Sequence, residues 1–318
     1  MTARAYGPQG PLDPVAATFA QALSANPAWQ GMATTPVAET RRALAEGLVF
    51  LPPPEPVLRI EDFAVPVAGG DILARLYVGV EAPRSLIIWF HGGGFVLGSV
   101  DNADNFARHF ANSSGAAVLS VDYRLAPEHR FPTAVEDCVA ATLWAIDSQA
   151  RLGLPALPVF VGGDSAGANL ATVTAMLLRD TISPPLAGQI LIYPCTDNAQ
   201  ATSLGRFVPP FLEVAELEWL FDQYVPDPAE RSDPRFAPIH APDLSGMPPA
   251  ILITAEHDLL TEQAEEYGHR LASAGVNVEM SRHPGMFHGF FTMDAFFDAE
   301  GGRAMAKVLN FMARAGGI

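Results

Sequence analysis

The feature that most constrains the fold is an alternation of short apolar runs with helical patterns, which begins near residue 57. After a hairpin pattern, the apolar runs lie at 85–90, 116–121, 159–162, 189–193, 250–254 and 277–281. Such alternation indicates a mostly parallel sheet with helices on its faces. A chain of 318 residues allows about two domains at roughly 150 residues each, but a single large α/β domain with an added subdomain fits equally well.

Two segments break this alternation. Residues 1–50 are helical in pattern but precede the sheet, and residues 198–230 interrupt the strand-helix order. The second segment is rich in aromatic side chains, among them Phe207, Phe211 and Trp219, a composition suited to covering a pocket. For any single aromatic residue, ordinary core packing is the simpler interpretation. We expect a lid folded onto one catalytic domain.

A GxSxG pentapeptide, Gly163-Asp164-Ser165-Ala166-Gly167, follows the apolar run 158–162 and precedes the helical stretch 169–178. In this strand-turn-helix context the serine lies on a sharp turn, with its hydroxyl at the positive end of a helix dipole. In isolation the motif is equally typical of a glycine-rich loop with a capping serine. The context favours Ser165 as a nucleophile.

A serine hydroxyl needs a base to take its proton and an acid to orient that base. Asp258 follows the predicted strand 250–254, and His288 lies beyond the predicted strand 277–281. The carboxyl ends of parallel strands meet at one edge of a sheet, and the order serine, acid, histidine is expected for such a fold. We therefore predict that Asp258 and His288 complete the site.

Other residues compete for these roles. His283 is the rival base, and Glu256 and Glu262 are rival acids. His288 is preferred because the glycine that follows it allows a turn toward the serine.

Acyl transfer also needs donors aimed at the oxygen that becomes charged, and the loss of one donor costs about 3 kcal/mol. His91-Gly92-Gly93-Gly94-Phe95 follows the strand that ends at Phe90. Consecutive glycines let backbone N–H groups converge, so Gly93, Gly94 and Ala166 are the predicted donors. The spacing does not match a phosphate-binding GxGxxG, and no metal-ligand motif is present. Neither a cofactor nor a metal is expected.

The charge balance argues against nucleic acid as a partner. The chain has 19 Lys and Arg against 35 Asp and Glu, a formal net charge of −16, and phosphate backbones would repel it. No stretch approaches the roughly 20 apolar residues of a membrane span, and the first thirty residues lack a signal-peptide pattern. We expect a cytoplasmic protein in which Cys138 and Cys195 are free thiols.

Two local patterns predict smaller structural features. Thr133 and Glu136 predict a capping box at the start of a helix over 133–149, with Val135 and Leu143 among its apolar positions at helical spacing. In the segment 122–129, an ion pair or loop brace formed by Arg124 and Glu128 is the expected role.

Four separated motifs resemble the bacterial hormone-sensitive-lipase family (family IV) of α/β-hydrolase esterases. The motifs are His91 to Phe95, Asp122-Tyr123-Arg124-Leu125-Ala126-Pro127-Glu128-His129, Gly163 to Gly167 and His283 to Phe290. The resemblance implies an α/β-hydrolase fold with an eight-stranded, mostly parallel sheet. It also implies cap helices in residues 1–50, a catalytic domain over 51–318 with a cap insertion at about 198–230, the triad Ser165, Asp258 and His288, and the oxyanion donors Gly93, Gly94 and Ala166.

Members of this family commonly hydrolyse short to medium acyl esters without a cofactor, and many are dimers. The resemblance therefore implies a small-molecule ester substrate, with a homodimer as one expectation. An amidase, peptidase or lactonase with the same triad stays open, as does a non-catalytic receptor on the same scaffold. The chain departs from the family pattern around the acid, where Asp258-Leu259-Leu260-Thr261-Glu262 replaces the usual Asp-Pro-Leu-Arg-Asp.

Overall fold

The computed structural model describes residues 10–25, 32–47, 52–198, 212–293 and 298–316. Within these ranges the strands are β1 (Arg59–Val67), β2 (Gly70–Val78), β3 (Leu86–Phe90), β4 (Ala117–Asp122), β5 (Val159–Asp164), β6 (Gly188–Ile192), β7 (Ala250–His257) and β8 (Val278–Phe287). They form one 8-stranded sheet in the order β1-β2-β4-β3-β5-β6-β7-β8. Within this order, every neighbouring pair from β4 through β3 to β8 is parallel, whereas β2 is antiparallel to both of its neighbours. The predicted fold class, an eight-stranded, mostly parallel sheet, is confirmed.

Helices follow most strands in the predicted order. They are α1 (Pro14–Ala25), α2 (Val37–Gly47), α3 (Asp104–Ser114), α4 (Thr133–Asp147), α5 (Ala166–Leu178), α6 (Val214–Tyr224), α7 (Thr261–Ser273) and α8 (Asp298–Ala315). Short 3-10 turns lie at Met32–Thr34, Pro228–Ser232 and Pro238–His240. No helix in the described ranges is both long and apolar enough to cross a membrane.

The sheet is covered on both faces, which is why its central strands are mainly apolar and buried at nearly every position. All five residues of β3 are buried. Ile87 and Trp89 pack on one side with residues of α3 and α8, whereas Ile88 and Phe90 pack on the other with residues of α4, α5 and α7. Because alternate side chains of a strand point to opposite faces of the sheet, the single apolar run of β3 contributes to two hydrophobic cores.

The start of α4 differs from the prediction. Pro132 occupies the N-cap position and no side chain caps the helix, because Thr133 already lies inside the first turn. Leu143 is 39% exposed, while the buried face is made mostly of small residues such as Ala141 and Ala145. The predicted capping box at this helix is wrong. A capping box does occur at α6, between Glu213 and Glu216.

The predicted pair between Arg124 and Glu128 is also wrong. The Arg124 guanidinium binds Asp137 at 2.6 and 2.9 Å, and the Arg124 backbone N–H donates to the same carboxylate at 3.0 Å. Asp137 is fully buried one turn into α4, where it needs a cationic partner. Glu128 instead binds Arg41 of α2. Both residues still brace the loop, each with a partner from outside it.

The segment between β6 and β7 is helical at α6. Phe207 and Phe211 lie outside the described residues, whereas Phe221 and Tyr224 are buried. Tyr224 stacks on Phe95, with ring centroids 4.2 Å apart. The aromatic side chains of α6 thus pack against the loop that follows β3.

The first turn of α5 lies directly against the end of β3. A Cβ on Gly167 would overlap the Phe90 carbonyl group, so no larger residue fits unless the helix moves away from the strand. Gly302 in α8 is the opposite case, because a Cβ there would meet open space.

We predict that Gly167→Ala lowers the free energy of unfolding by about 1 to 3 kcal/mol through overpacking. The matched control Gly302→Ala should raise it by up to about 1 kcal/mol, because alanine is the better helix former. Urea unfolding of both variants measures the difference. Equal effects at the two positions would contradict the tight packing of α5 on β3.

Candidate active site

Ser165 lies on the turn between β5 and α5 in a strained backbone conformation. Its φ is 55° and its ψ is −118°, a region that costs a residue with a side chain on the order of 1 to 3 kcal/mol. The Ser165 N–H donates to the Ile192 carbonyl at 2.9 Å, and β5 pairs with β6 along its length. The sheet therefore fixes the turn on one side and the packed first turn of α5 fixes it on the other.

The three side chains that the sequence predicts as a triad lie together. The Ser165 Oγ is 2.9 Å from the His288 Nε2, and the His288 Nδ1 is 2.7 Å from the Asp258 Oδ2. An imidazole with its proton on Nδ1 donates to Asp258 and accepts from the Ser165 hydroxyl. This is the geometry in which an imidazole removes a proton from a hydroxyl while a carboxylate orients it.

Asp258 directly follows β7 and is buried, as is His288 directly after β8. The second carboxylate oxygen, Oδ1, accepts the Leu260 backbone N–H at 2.9 Å. The sequence around the acid departs from the usual family pattern, yet this turn still presents a backbone donor to the carboxylate. Both carboxylate oxygens therefore have a partner.

The rival residues have other partners. His283 faces Glu300, with Nδ1 and Oε1 2.5 Å apart, and burial lowers the pKa of its imidazole. The Glu256 carboxylate accepts the Gly285 N–H at 2.8 Å. Glu262 lies in the first turn of α7. The histidine within hydrogen-bonding distance of the Ser165 hydroxyl is His288, whereas His283 and Glu256 bind Glu300 and the Gly285 backbone.

The loop after β3 that contains Gly92, Gly93 and Gly94, here called the glycine loop, lines the same cavity as Ser165. Gly93 has a φ of 116° and Gly94 a φ of 62°, and the Gly93 carbonyl accepts the N–H groups of Val96 and Leu97 at 3.1 and 2.8 Å. Ala166 is the first residue of α5, where N–H groups have no partner within the helix. The three predicted donor residues all line one cavity with Ser165 and His288.

Asp164 is a charged residue of the site to which the sequence analysis gave no role. Its Oδ1 accepts the Gly92 N–H at 3.1 Å, and a small part of the side chain faces the cavity. Burial raises the pKa of Asp164 to about 6, although the nearby His288 and the Gly92 N–H both oppose the rise. Its place beside the predicted nucleophile, Ser165, in the pentapeptide was the available signal.

A cavity of about 240 Å³ opens over the serine hydroxyl. Its walls are mainly apolar and come from α2, the glycine loop, α6 and the segment after His288. The side chains over the serine include Leu44, Leu212, Leu217, Leu220, Phe221 and Met293. Glu216 also lines the cavity, and burial raises the pKa of its carboxyl group.

Tyr193 supports the histidine from the side. Its ring centroid is 4.6 Å from that of His288, and its hydroxyl lies 3.1 Å from the Thr292 Oγ1. Tyr193 has a φ of 35°, so this packing is held by a second strained residue at the same sheet edge. The sequence analysis did not single out Tyr193.

The matching family model, described as alpha/beta hydrolase fold, covers residues 87–292. Among curated proteins, an ethyl acetate hydrolase of Pseudomonas putida is 37% identical over 75% of this chain and 78% of its own length. A carboxylesterase of Mycobacterium tuberculosis is 42% identical with the same shares covered. Among solved structures, a Pyrobaculum calidifontis esterase superposes with a TM-score of 0.87 at 37% identity, covering 96% of this chain and 100% of its own.

These similarities span both the sheet and the segments outside it, since the archaeal esterase matches nearly the whole chain. The family model begins within β3 and ends just after His288, so it includes every predicted site residue. The chain belongs to the α/β-hydrolase fold family, and the resemblance to its hormone-sensitive-lipase branch is confirmed.

Proposed function

We propose that this protein is a serine carboxylesterase that hydrolyses short to medium acyl esters through an acyl-enzyme. The observation that carries the proposal is the continuous chain from the Ser165 Oγ through His288 to Asp258, at 2.9 and 2.7 Å, beneath a mainly apolar cavity. The named activities of the relatives, ethyl acetate hydrolase and carboxylesterase, agree with ester hydrolysis.

The reaction follows from this arrangement. His288 accepts the Ser165 proton as the oxygen attacks the ester carbonyl, and the buried Asp258 stabilises the imidazolium that forms. The N–H groups of Gly93, Gly94 and Ala166 bind the negative oxygen of the tetrahedral intermediate. His288 then protonates the leaving alcohol, and the same base activates the water that releases the acid.

We infer a division of the chain into cap and catalytic parts. Residues 1–50 and about 198–230 would form the cap, and the remainder of 51–318 the catalytic domain. Leu44 and the side chains of α6 that line the cavity support this division. The contact of Phe19 with Phe287, at 6.0 Å between ring centroids, indicates that α1 also packs on the end of β8.

The proposed substrate is a small neutral ester. Apolar walls favour apolar acyl or alcohol groups, and the two acidic residues of the lining, Asp164 and Glu216, disfavour an anionic substrate. Amides, peptides and lactones could use the same triad, but no contact in the described residues favours them. Hydrolysis rates for p-nitrophenyl esters of rising chain length, with one anilide included, would distinguish these classes.

Two further properties are part of the proposal. Cys138 and Cys195 are buried free thiols, which agrees with a reducing compartment such as the cytoplasm. A homodimer is the expected alternative to a monomer, and sedimentation velocity would decide between them.

We predict that Ser165→Ala lowers kcat for p-nitrophenyl butyrate by a factor on the order of 10⁶. Asp258→Asn should lower it by about 10⁴, because the imidazole then takes the wrong tautomer. Both variants should keep the wild-type circular dichroism spectrum. A serine on the surface, such as Ser113, provides the control, because Ser113→Ala should leave the rate unchanged.

Turnover by a clean preparation of Ser165→Ala at the wild-type rate would refute the assignment of the nucleophile. Wild-type turnover by Asp258→Asn would refute only the role of the acid.

Asp164 generates a prediction about stability and pH. Its folded pKa of about 6 lies above the ordinary value of 3.8 for an aspartate, so the folded state binds more protons than the unfolded state between these values. Stability therefore falls as pH rises through this window, by up to about 3 kcal/mol at 1.36 kcal/mol per pKa unit. We predict that Asp164→Asn is more stable than the wild type at pH 7, with the difference vanishing below about pH 4.

The same variant should be less active, because it loses the negative charge that favours the imidazolium of His288. Urea unfolding at several pH values and the kcat for p-nitrophenyl butyrate measure the two effects. A stability difference that grows as pH falls would contradict the raised pKa of Asp164.

A further inference from the structure

Arg41 of α2 joins two segments that are far apart in sequence. Its Nε donates to the Val96 carbonyl at 2.8 Å, and its Nη2 donates to the Ala126 carbonyl at 2.6 Å. The same guanidinium contacts both carboxylate oxygens of Glu128, at 2.9 and 3.0 Å. One side chain therefore binds the loop after β3, the loop after β4 and the carboxylate of that second loop.

The Val96 carbonyl belongs to the turn that carries the proposed oxyanion donors. The Val96 N–H donates to the Gly93 carbonyl at 3.1 Å, and the Ala126 N–H donates to the Phe95 carbonyl at 3.0 Å. The glycine loop and the 122–129 segment are thus hydrogen-bonded to each other, and Arg41 of α2 is hydrogen-bonded to both. Displacement of Arg41 would release the side of the glycine loop that faces α2.

The other side of this loop is held by α6. A Cβ on Gly94 would overlap the side chain of Leu220, and Phe95 stacks on Tyr224. Leu44, three residues after Arg41 on α2 and so on the same helix face, lines the cavity over the serine. The glycine loop therefore lies between α2 and α6, and Arg41 is its polar attachment to α2.

We propose that Arg41 is a positioning residue for ester hydrolysis. It holds the glycine loop, which contains Gly93 and Gly94, against α2 beside the cavity over Ser165. The inference rests on the proposed function, because it assigns a role through the Gly93 and Gly94 donors. It also assigns the 122–129 segment the role of binding Arg41, since that segment supplies two of the three groups that accept hydrogen bonds from Arg41.

The two kinds of contact have different weights. Glu128 is 57% exposed, and exposed ion pairs contribute little. The two carbonyl contacts are less exposed and need the planar fork of a guanidinium, which the single ammonium of lysine cannot reproduce. The carbonyl contacts therefore position the loop, and the ion pair is secondary.

Kinetics of four variants test this proposal, with p-nitrophenyl butyrate as substrate and an alkyl trifluoromethyl ketone as transition-state analogue. Arg41→Lys and Arg41→Ala should each lower kcat by about tenfold, less than the roughly hundredfold cost of removing a donor outright. KM should change little. The inhibition constant of the ketone should rise by the same factor as kcat/KM falls, because its oxyanion occupies the same donors.

Two variants serve as controls. Glu128→Gln should change kcat by no more than about twofold, as expected for an exposed pair. Arg42→Ala removes the neighbouring arginine, which is 69% exposed and lies 3.8 Å from Glu46, and should leave every parameter at the wild-type value.

Wild-type kcat and ketone affinity in folded Arg41→Lys would overturn the proposal, even if its melting temperature fell. If Arg41→Ala fails to fold, the Arg41→Lys result decides. A loss confined to KM would also overturn it, because α2 would then shape only the pocket. The proposed function itself fails if the wild type does not hydrolyse the ester or if Ser165→Ala remains active, so the two failures are distinguishable.

Discussion

The strained turn at Ser165 is the constraint on which the rest of the site depends. A φ of 55° persists only where surrounding structure over-determines it. Here the surrounding structure is the pairing of β5 with β3 and β6 and the close approach of Gly167 to Phe90. The paired sheet therefore holds the Ser165 hydroxyl at the edge where Asp258 follows β7 and His288 follows β8.

Charge and burial then divide the roles among the site's polar groups. Asp258 is buried with both carboxylate oxygens bonded, one to His288 and one to the Leu260 N–H. At Asp164 the effect of burial outweighs the hydrogen bonds and the nearby imidazole, so its pKa rises. One carboxylate is thus fixed as the partner of the imidazole, whereas the other is held next to the glycine loop at a cost in stability. Such a cost is common where a site needs a charge in a fixed place.

The sequence predicted the sheet and the three side chains because both depend on local patterns. Apolar runs mark buried strands, and residues directly after parallel strands meet at one edge. The partners of Arg124 and Arg41 were not predictable in this way, because Asp137, Val96 and Ala126 are brought to them only by packing. The predicted capping box at Thr133 was wrong because the position of the helix start was misjudged by one residue. The preceding proline takes the cap position, and a one-residue shift of the helix start removes the pattern.

In the proposed reaction Ser165 is the nucleophile, and His288, with its Nε2 2.9 Å from the Ser165 Oγ, activates it. The most direct test is mass spectrometry of the protein after reaction with a p-nitrophenyl phosphonate ester, followed by peptide mapping. We predict a single adduct on the peptide that contains Ser165, formed rapidly in the wild type and far more slowly in His288→Ala. An adduct on another residue, or equally fast labelling of His288→Ala, would contradict this account.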